Sequence, residues 1–202
     1  MRNPDHTRDV LLKAARKEFA LKGFGGARID EIARSAGINK QALYYHFGNK
    51  EELFRVALES GYRQFRGRDR EFDVHAASPE ESLKSLIELT FYDLHQSPEL
   101  IAMIMEENRH QGMHLNREHI RAINEPLVST ISVLLTRGEQ DGTFVRGIDP
   151  VQFYVSMFSL VMFYFSNVHT LSAVLNRDLE SEECMRDRLN HITDLLLKYV
   201  KS

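Results

Sequence analysis

The sequence contains little cysteine, glycine or proline, and these shortages narrow the class of protein. A single cysteine among 202 residues cannot build a disulfide framework, and the common cysteine-rich zinc modules need at least two thiolates. Average usage would give roughly 14 glycines and 10 prolines in a chain of this size, but the sequence has 11 and 5. This scarcity predicts few turns and long regular elements.

Long apolar runs are also absent. No stretch approaches the roughly 18 apolar residues of a membrane-spanning helix, and residues 1–10 are polar, without the apolar segment of a secretory signal. Hydrophobic residues make up 43% and charged residues 27% of the chain, which is the balance of an ordinary globular protein. We therefore expect a cytoplasmic globular protein that makes no membrane contact.

The charge is unevenly distributed along the chain, whose formal net charge is -3. Residues 1–55 hold eleven Lys and Arg against seven Asp and Glu, a balance of +4, which leaves -7 on residues 56–202. A basic first segment favours contact between that segment and a polyanion. A solvated surface accounts for the same balance, so the charge alone leaves both interpretations open.

Apolar residues recur every three or four positions in the first part of the chain, which predicts amphipathic helices. The first stripe comprises Val10, Leu11, Ala14, Ala15, Phe19 and Leu21. Three glycines within residues 23–26 end it. A short helix is predicted over Ile29–Ala36 and another over Asn39–Tyr45, where the Asn39 side chain can accept from the free amides of the first turn.

The middle of the chain continues the helical pattern. Asn49 and Glu52 resemble a capping box that opens a fourth helix ending near Arg68, and charged residues 68–71 begin a predicted loop. Pro126 lies inside a later apolar stripe, so the helix there either kinks or restarts with Asn124 as its cap. Residues 138–147 contain three glycines and are predicted to form a loop.

The helix predicted after Pro150 differs from the others. Asp149 is a suitable N-cap before a proline at the first helical position, and Val151 to Val168 are apolar on nearly every side. Such a helix has to be covered all round, which one domain core does only in part and a second subunit could complete. A last helix is predicted over Glu182–Tyr199. Since no strand pattern is evident, the predicted fold is all-α with about nine helices.

Residues 29–48 have the layout of a helix-turn-helix, with an apolar helix, a turn containing Gly37 and a short polar helix. In such motifs the first helix holds the second at a steep angle, and the second presents polar side chains to the major groove of DNA. Ile38 and Leu43 are expected to face the core. The side chains expected to point outward, where they can contact bases or phosphates, are Lys40, Gln41, Tyr44 and Tyr45.

Residues 6–58 resemble the DNA-binding domain of the TetR family of bacterial transcriptional regulators. The resemblance rests on Ala15, Phe19, Gly23 and Phe24, on the run from Ile29 to Leu53, and on the signature residues Leu43, Tyr44, Phe47 and Lys50. Residues 98–115 are also similar to the subgroup that contains the pyrimidine-utilisation repressor. The family resemblance implies a three-helix DNA-binding domain over residues 1–55 and a helical ligand-binding and dimerisation domain over residues 56–202.

The resemblance also implies roles for individual residues. Lys40, Gln41 and Tyr45 would read bases or adjacent phosphates, whereas Tyr44, His46 and Lys50 would hold the DNA backbone. The full predicted DNA-binding set is Arg28, Asn39, Lys40, Gln41, Tyr44, Tyr45, His46 and Lys50. Family members often have Ser or Thr where Arg28 stands. Because an arginine cannot accept a hydrogen bond, the usual cap of the second helix is in doubt, and Arg28 could contact a phosphate instead.

Two further residue sets are expected in the second domain. Apolar and polar side chains that could line an effector pocket are Phe91, Met103, Asn108, Leu127, Met157, Phe158, Met162 and Phe165. Those expected at a dimer interface are Phe153, Tyr154, Phe163, Tyr164, Leu189, Ile192 and Leu196. Any one of the apolar pocket residues could equally be plain core, because a pocket also needs polar groups that converge on it.

These expectations describe a repressor that binds a palindromic operator as a homodimer and is released by a small-molecule effector. A rival is a nucleoid-associated or adaptor protein that uses the same DNA-binding domain without regulating a promoter. We expect neither catalysis nor a cofactor, since no nucleophile elbow or phosphate loop is present. His110 and His114 have a spacing compatible with metal binding, but solvated or interfacial histidines are the favoured interpretation.

Overall fold

The computed structural model describes residues 4–67 and 72–201. Ten α-helices and no strands occur in that part of the chain, which confirms the all-α prediction and adds one helix to the expected number. The helices are α1 Pro4–Gly26, α2 Ile29–Ala36, α3 Lys40–Phe47, α4 Lys50–Phe65, α5 Pro79–His95, α6 Pro98–Arg109, α7 Arg117–Gln140, α8 Pro150–Ser166, α9 Val168–Leu175 and α10 Glu182–Lys201. The charged loop predicted at residues 68–71 lies outside the described residues.

The helices divide into two compact units, of which the first combines the described residues up to Phe65 with Ser97–Ile123. Within it, α6 and α4 pack against α1, and α2 and α3 complete the helix-turn-helix. Its core includes Phe19 and Phe54, whose rings meet edge to face at 5.0 Å. Leu12 is buried in this unit and Leu21 is exposed. Leu21 was expected in the apolar stripe, but it lies two positions from the buried Phe19 and therefore about 200° round the helix, on the solvent side.

That interruption is at Gly23, whose φ of 68° and ψ of 174° are non-helical inside the continuous span of α1. A side chain would be strained in this conformation, and a Cβ at Gly23 would stand 2.8 Å from Oε1 of Glu106. The backbone N–H of Phe24, freed by the break, donates to the same Glu106 oxygen at 2.8 Å. The predicted end of the first helix is therefore a tight break held by a carboxylate from α6.

Local capping sets the ends of the two helices of the motif. Arg28 precedes α2 and makes no side-chain capping bond, as its chemistry predicts. Asn39 accepts from the amide of Ala42 at 2.7 Å and opens α3. The helix runs two residues beyond the predicted Tyr45, because Leu43 and Phe47 are buried one turn apart and anchor both turns to the core.

The second unit comprises residues from Arg66 to Gln96 and from Asn124 onward. Inside this unit α5 packs against α8 and α10. Helix α7 continues through Pro126, so a restart capped by Asn124 was the wrong alternative. Asn124 instead accepts from Nε of Arg66 at 3.0 Å. Gly138 lies inside α7 and not in the predicted loop. A glycine is needed at this helical position because the Phe144 ring occupies the place where a Cβ would stand.

The apolar helix after Asp149 is shorter than predicted. It ends at Ser166, and a separate helix, α9, begins at Val168. No single helix in the described part of the chain is long and apolar enough to cross a membrane. Helices α8 and α9 together pass that test of length and composition, but they are bent by 72°. Along α8 one face is buried, and exposed apolar side chains on the remainder include Val151, Val155 and Phe163.

Candidate nucleic-acid interface and ligand cavity

Helix α3 presents a polar and aromatic face to solvent. Leu43 and Phe47 are buried, whereas Tyr45 is 87% exposed and Tyr44 is 41% exposed. Lys40 and Gln41 are also exposed, in the first turn of the same helix. No acidic residue occurs in this first turn. The exposed side chains, together with the positive end of the helix dipole, form a surface suited to phosphate and base contacts.

Lys40 is held by an acidic neighbour that the sequence analysis did not single out. Its Nζ lies 2.7 Å from Oδ1 of Asp30 on α2, and the hydrogen bond that it donates to Asp30 raises the pKa of Lys40 above its ordinary value. Nζ also lies 5.9 Å from the centroid of the Tyr44 ring. Asp30 and Lys40 are ten positions apart across a turn, so helical periodicity gives no signal that they meet.

Lys50 lies at the first position of α4 in the same unit. Its Nζ donates to the carbonyl oxygen of Gly25 at 3.4 Å and stands 5.0 Å from the centroid of the Phe24 ring. His46 stacks edge-on against Tyr45 at 5.4 Å. Arg28 is exposed, and its backbone N–H donates to Glu18. The eight predicted DNA-binding residues are thus placed on or beside the helix-turn-helix, and each except His46 and Lys50, which are partly buried, is exposed.

The histidines behind this motif pair with carboxylates. His114 Nδ1 lies 2.7 Å from Oε2 of the buried Glu107, and the His114 backbone N–H donates to Oε1 of that carboxylate at 2.8 Å. His119 Nδ1 lies 3.1 Å from Oε1 of the buried Glu59. Among residues 4–67 and 72–201, no group of three or more His, Cys, Asp and Glu side chains is arranged to hold a metal ion. The first pair holds the segment that follows α6 against that helix, and the second joins α4 to α7 within the first unit.

The residues predicted for an effector pocket fall into both units. Met103 and Asn108 belong to the first unit, and the other six belong to the second. Phe91, Leu127 and Met157 are fully buried core side chains of the second unit. Phe158 is partly buried, and the guanidinium carbon of the buried Arg66 lies 5.8 Å from the centroid of the Phe158 ring.

A concave site in the second unit involves a different set of residues. It is a cavity of 380 Å³ between α8, α9, α10 and the loop that joins the last two. The lining residues are Phe163, Tyr164, Leu171, Leu175, Arg177, Leu179, Cys184, Asp187, Arg188 and His191. None of the eight predicted pocket residues belongs to this lining. The sequence signal for the cavity was weak, because its wall combines three separate helices and the short loop between two of them.

The predicted dimer residues are mostly inside the second unit. Phe153, Tyr164, Leu189, Ile192 and Leu196 are buried within the protomer, Tyr154 is partly buried, and Phe163 is 57% exposed. The Tyr164 hydroxyl donates to the carbonyl of Leu179 at 2.6 Å, and desolvation raises its pKa. Helices α8 and α10, which carry all seven of these residues, also have exposed apolar side chains, namely Val151, Val155, Phe163, Leu195 and Tyr199.

Comparisons with known proteins agree with this architecture. A family model described as "Tetracyclin repressor-like, C-terminal domain" matches residues 79–196, and one described as "Bacterial regulatory proteins, tetR family" matches residues 11–57. The second match contains the whole helix-turn-helix, and the two together leave few of the described residues unmatched.

Relatives and solved structures match over nearly the full chain. The HTH-type transcriptional repressor NicS of Pseudomonas putida is 36% identical over 195 residues, which cover 96% of this chain and 92% of the relative. The structure of FadR from Bacillus subtilis in complex with stearoyl-CoA has a TM-score of 0.71 at 22% identity, covering 95% of this chain and 98% of that one. A putative TetR-family regulator from Mesorhizobium loti has a TM-score of 0.72 at 19% identity, with all of both chains covered. The two matching family models and the near full-length relative establish that the chain belongs to the tetR family of bacterial regulatory proteins.

Proposed function

We propose that this protein is a transcriptional repressor that binds a palindromic operator as a homodimer and leaves it when a small molecule binds. Residues 1–55 would contact DNA, and residues 56–202 would bind the effector and the second subunit. The name of the NicS relative supports repression, and it favours promoter-specific control over the nucleoid-associated alternative. Such a protein would act in the cytoplasm, and the proposal assigns it no catalytic role.

The observation that carries the proposal is the exposed face of α3. A recognition helix needs polar side chains that are free to enter the major groove while its other face is anchored. Leu43 and Phe47 supply the anchor, and Gln41, Tyr44 and Tyr45 supply the free face. Two such helices in a homodimer would reach half-sites about 34–36 Å apart. Lys40 would exchange its partner Asp30 for a phosphate when DNA arrives.

Fluorescence anisotropy with DNA from the promoter region beside the gene tests this role. Each lysine–phosphate contact contributes about -0.9 to the slope of log K against log salt. A homodimer loses two contacts in Lys40→Ala, so we expect the slope to become less steep by about 1.8. Tyr44→Phe should weaken binding with folding intact, because it removes only a hydroxyl donor.

Lys84→Ala on α5 is the matched control, since it removes an exposed lysine outside the motif. Its salt slope should equal that of the wild type. Equal slopes for Lys40→Ala and the wild type, with no change in affinity for Tyr44→Phe, would refute the assignment of α3.

The proposed dimer surface is the exposed apolar side of α8 and α10. Val151, Val155 and Phe163 on α8 recur at multiples of four, and Leu195 and Tyr199 on α10 do the same, so each set forms a stripe. Exposed apolar stripes of this kind are typical of subunit interfaces. Two copies of these helices would form a four-helix interface that covers the side of α8 left exposed by its own protomer.

Sedimentation of the full chain tests the surface. Phe163→Asp places a charge where two subunits would meet, so we expect a tenfold or greater rise in the dimer dissociation constant, since an unpaired buried charge is costly. Leu21→Asp is the control, because Leu21 is an exposed apolar residue on α1. If both variants sediment as the wild type does, the dimer surface lies elsewhere.

A further inference from the structure

The cavity between α8, α9 and α10 contains a cation that forms no ion pair with an acidic side chain among residues 4–67 and 72–201. Arg188 lines the cavity. Its Nη2 donates to the carbonyl of Leu160 at 2.8 Å, and its Nε is buried without a hydrogen-bond partner in the described part of the chain. The guanidinium carbon lies 5.7 Å from the centroid of the Tyr164 ring. An arginine offers five N–H donors, and the bond to Leu160 uses only one of them.

This environment is unfavourable for a charged group. Desolvation lowers the pKa of Arg188, yet an arginine stays protonated under ordinary conditions. A partly buried charge is stabilised when an opposite charge and further hydrogen bonds accompany it. The carbonyl oxygen of Leu160 and the Tyr164 ring stabilise the charge of Arg188 less than a carboxylate would. An anionic group beside Arg188 would supply the opposite charge that this environment lacks.

The remainder of the wall determines what kind of anion fits. Leu171, Leu175 and Leu179 provide apolar surface on one side, and Phe163 adds an aromatic ring. Arg177 and Asp187 are exposed and also line the cavity, so their opposite charges offset each other and the charge of Arg188 is left for one anionic group. A volume of 380 Å³ is near the lower end of the roughly 300–1,000 Å³ found for small-molecule sites.

We propose that this cavity binds a small organic acid with one carboxylate and a hydrocarbon body. The carboxylate would accept from the Arg188 guanidinium, a charge-assisted pairing of the strong kind. The hydrocarbon would lie against Leu171, Leu175 and Leu179. This inference rests on the proposed function, because it names the chemical class of the effector that such a repressor would sense.

Isothermal titration of the full chain with octanoate and with octan-1-ol tests the site. The two probes share a hydrocarbon chain and differ in the carboxylate. Arg188→Gln should weaken octanoate binding by about tenfold to a hundredfold, which is the range for a hydrogen bond to a charged group, and should leave octan-1-ol binding unchanged. Asp187→Asn removes a like charge from the wall and should tighten octanoate binding severalfold.

A cavity-filling variant keeps the test independent of Arg188, whose bond to Leu160 contributes to folding. Leu175 is 55% exposed, so Leu175→Trp can be accommodated by the fold while it occupies the cavity. It should abolish binding of both probes. The inference is overturned if the wild type binds no octanoate at millimolar concentration, or if Arg188→Gln and Leu175→Trp bind octanoate as well as the wild type.

Operator release is measured separately, by adding octanoate to the DNA complex. Phe163 belongs both to the cavity wall and to the proposed dimer surface, so sedimentation in octanoate shows whether occupancy changes the dimer. Octanoate binding in the calorimeter without any operator binding by the protein would refute the proposed function and support the site. Normal operator binding with no octanoate binding would support the proposed function and refute the site.

Discussion

Replacement of Gly138 by alanine should destabilise the protein, although alanine is the better helix former. In the middle of α7 the change from glycine to alanine gains up to about 1 kcal/mol of helix propensity. A Cβ at this position would, however, stand 2.5 Å from Cγ and 2.6 Å from Cε2 of the Phe144 ring. Ordinary contact begins at 3.4 Å, so the ring would have to move by about 1 Å or more.

The ring has little freedom to move. Phe144 is buried, its N–H donates to the carbonyl of Gly138 at 2.9 Å, and the next residue, Val145, donates to Val200 of α10 at 2.8 Å. Overpacking costs about 1–3 kcal/mol, and expulsion of the ring forfeits about 1.5–3 kcal/mol of burial. After a propensity gain of about 1 kcal/mol is subtracted from the cost of expelling the ring, we expect Gly138→Ala to lower the free energy of unfolding by about 0.5–2 kcal/mol.

In a background that lacks the Phe144 ring, the effect of Gly138→Ala on the free energy of unfolding should have the opposite sign. In Phe144→Ala the ring is absent, so Gly138→Ala should raise the free energy of unfolding by about 0.5–1 kcal/mol. The coupling free energy between the two positions is obtained from urea unfolding of the wild type, the two single variants and the double variant, followed by far-UV circular dichroism at one protein concentration. A stabilising Gly138→Ala in the wild-type background, or equal effects in both backgrounds, would refute the steric argument.

Two other changes have defined outcomes. Glu106→Ala removes the acceptor of the Phe24 amide and should cost about 1–3 kcal/mol in urea unfolding; Glu106→Gln keeps an acceptor and should cost less, and equal losses would contradict this role. Hydrogen bonds from Lys201 and then Lys84 lower the pKa of Glu80, so its contribution to stability is present above the unfolded value of about 4.3 and is lost as pH falls through the folded value. The melting temperature of Glu80→Gln should therefore be lower than that of the wild type at neutral pH and equal to it at a pH well below the folded-state pKa of Glu80. A difference in melting temperature that does not change with pH would exclude the ion pairs as its cause.

The features that sequence predicted well are those determined by neighbours within one or two turns. The bounds of α2 match the prediction, and Asn39 caps α3 because its acceptor meets an amide three residues on. Asp149 likewise accepts from Val151 and Gln152 at the start of α8. Such contacts depend on local spacing, which the sequence shows directly.

The errors concern contacts between distant segments. Gly138 was assigned to a loop because glycine usually breaks helices, but here it admits the ring of Phe144. Ile192 and Leu196 were expected at a subunit interface, yet they are buried in the protomer, since a stripe of apolar residues does not reveal which surface covers it. The contacts of Lys40 with Asp30 and of Arg188 with Leu160 likewise depend on tertiary packing.

The first compact unit has a consequence for protein engineering. The Phe24 ring lies 4.4 Å from the His114 ring and 5.3 Å from the Phe54 ring, so one hydrophobic cluster unites helices encoded far apart in the gene. A hybrid repressor made by transplanting only residues 1–65 would carry Phe24 and Phe54 without the histidine that packs on them. Successful chimaeras should therefore exchange two segments, residues 1–65 and residues 97–123, and not the first alone.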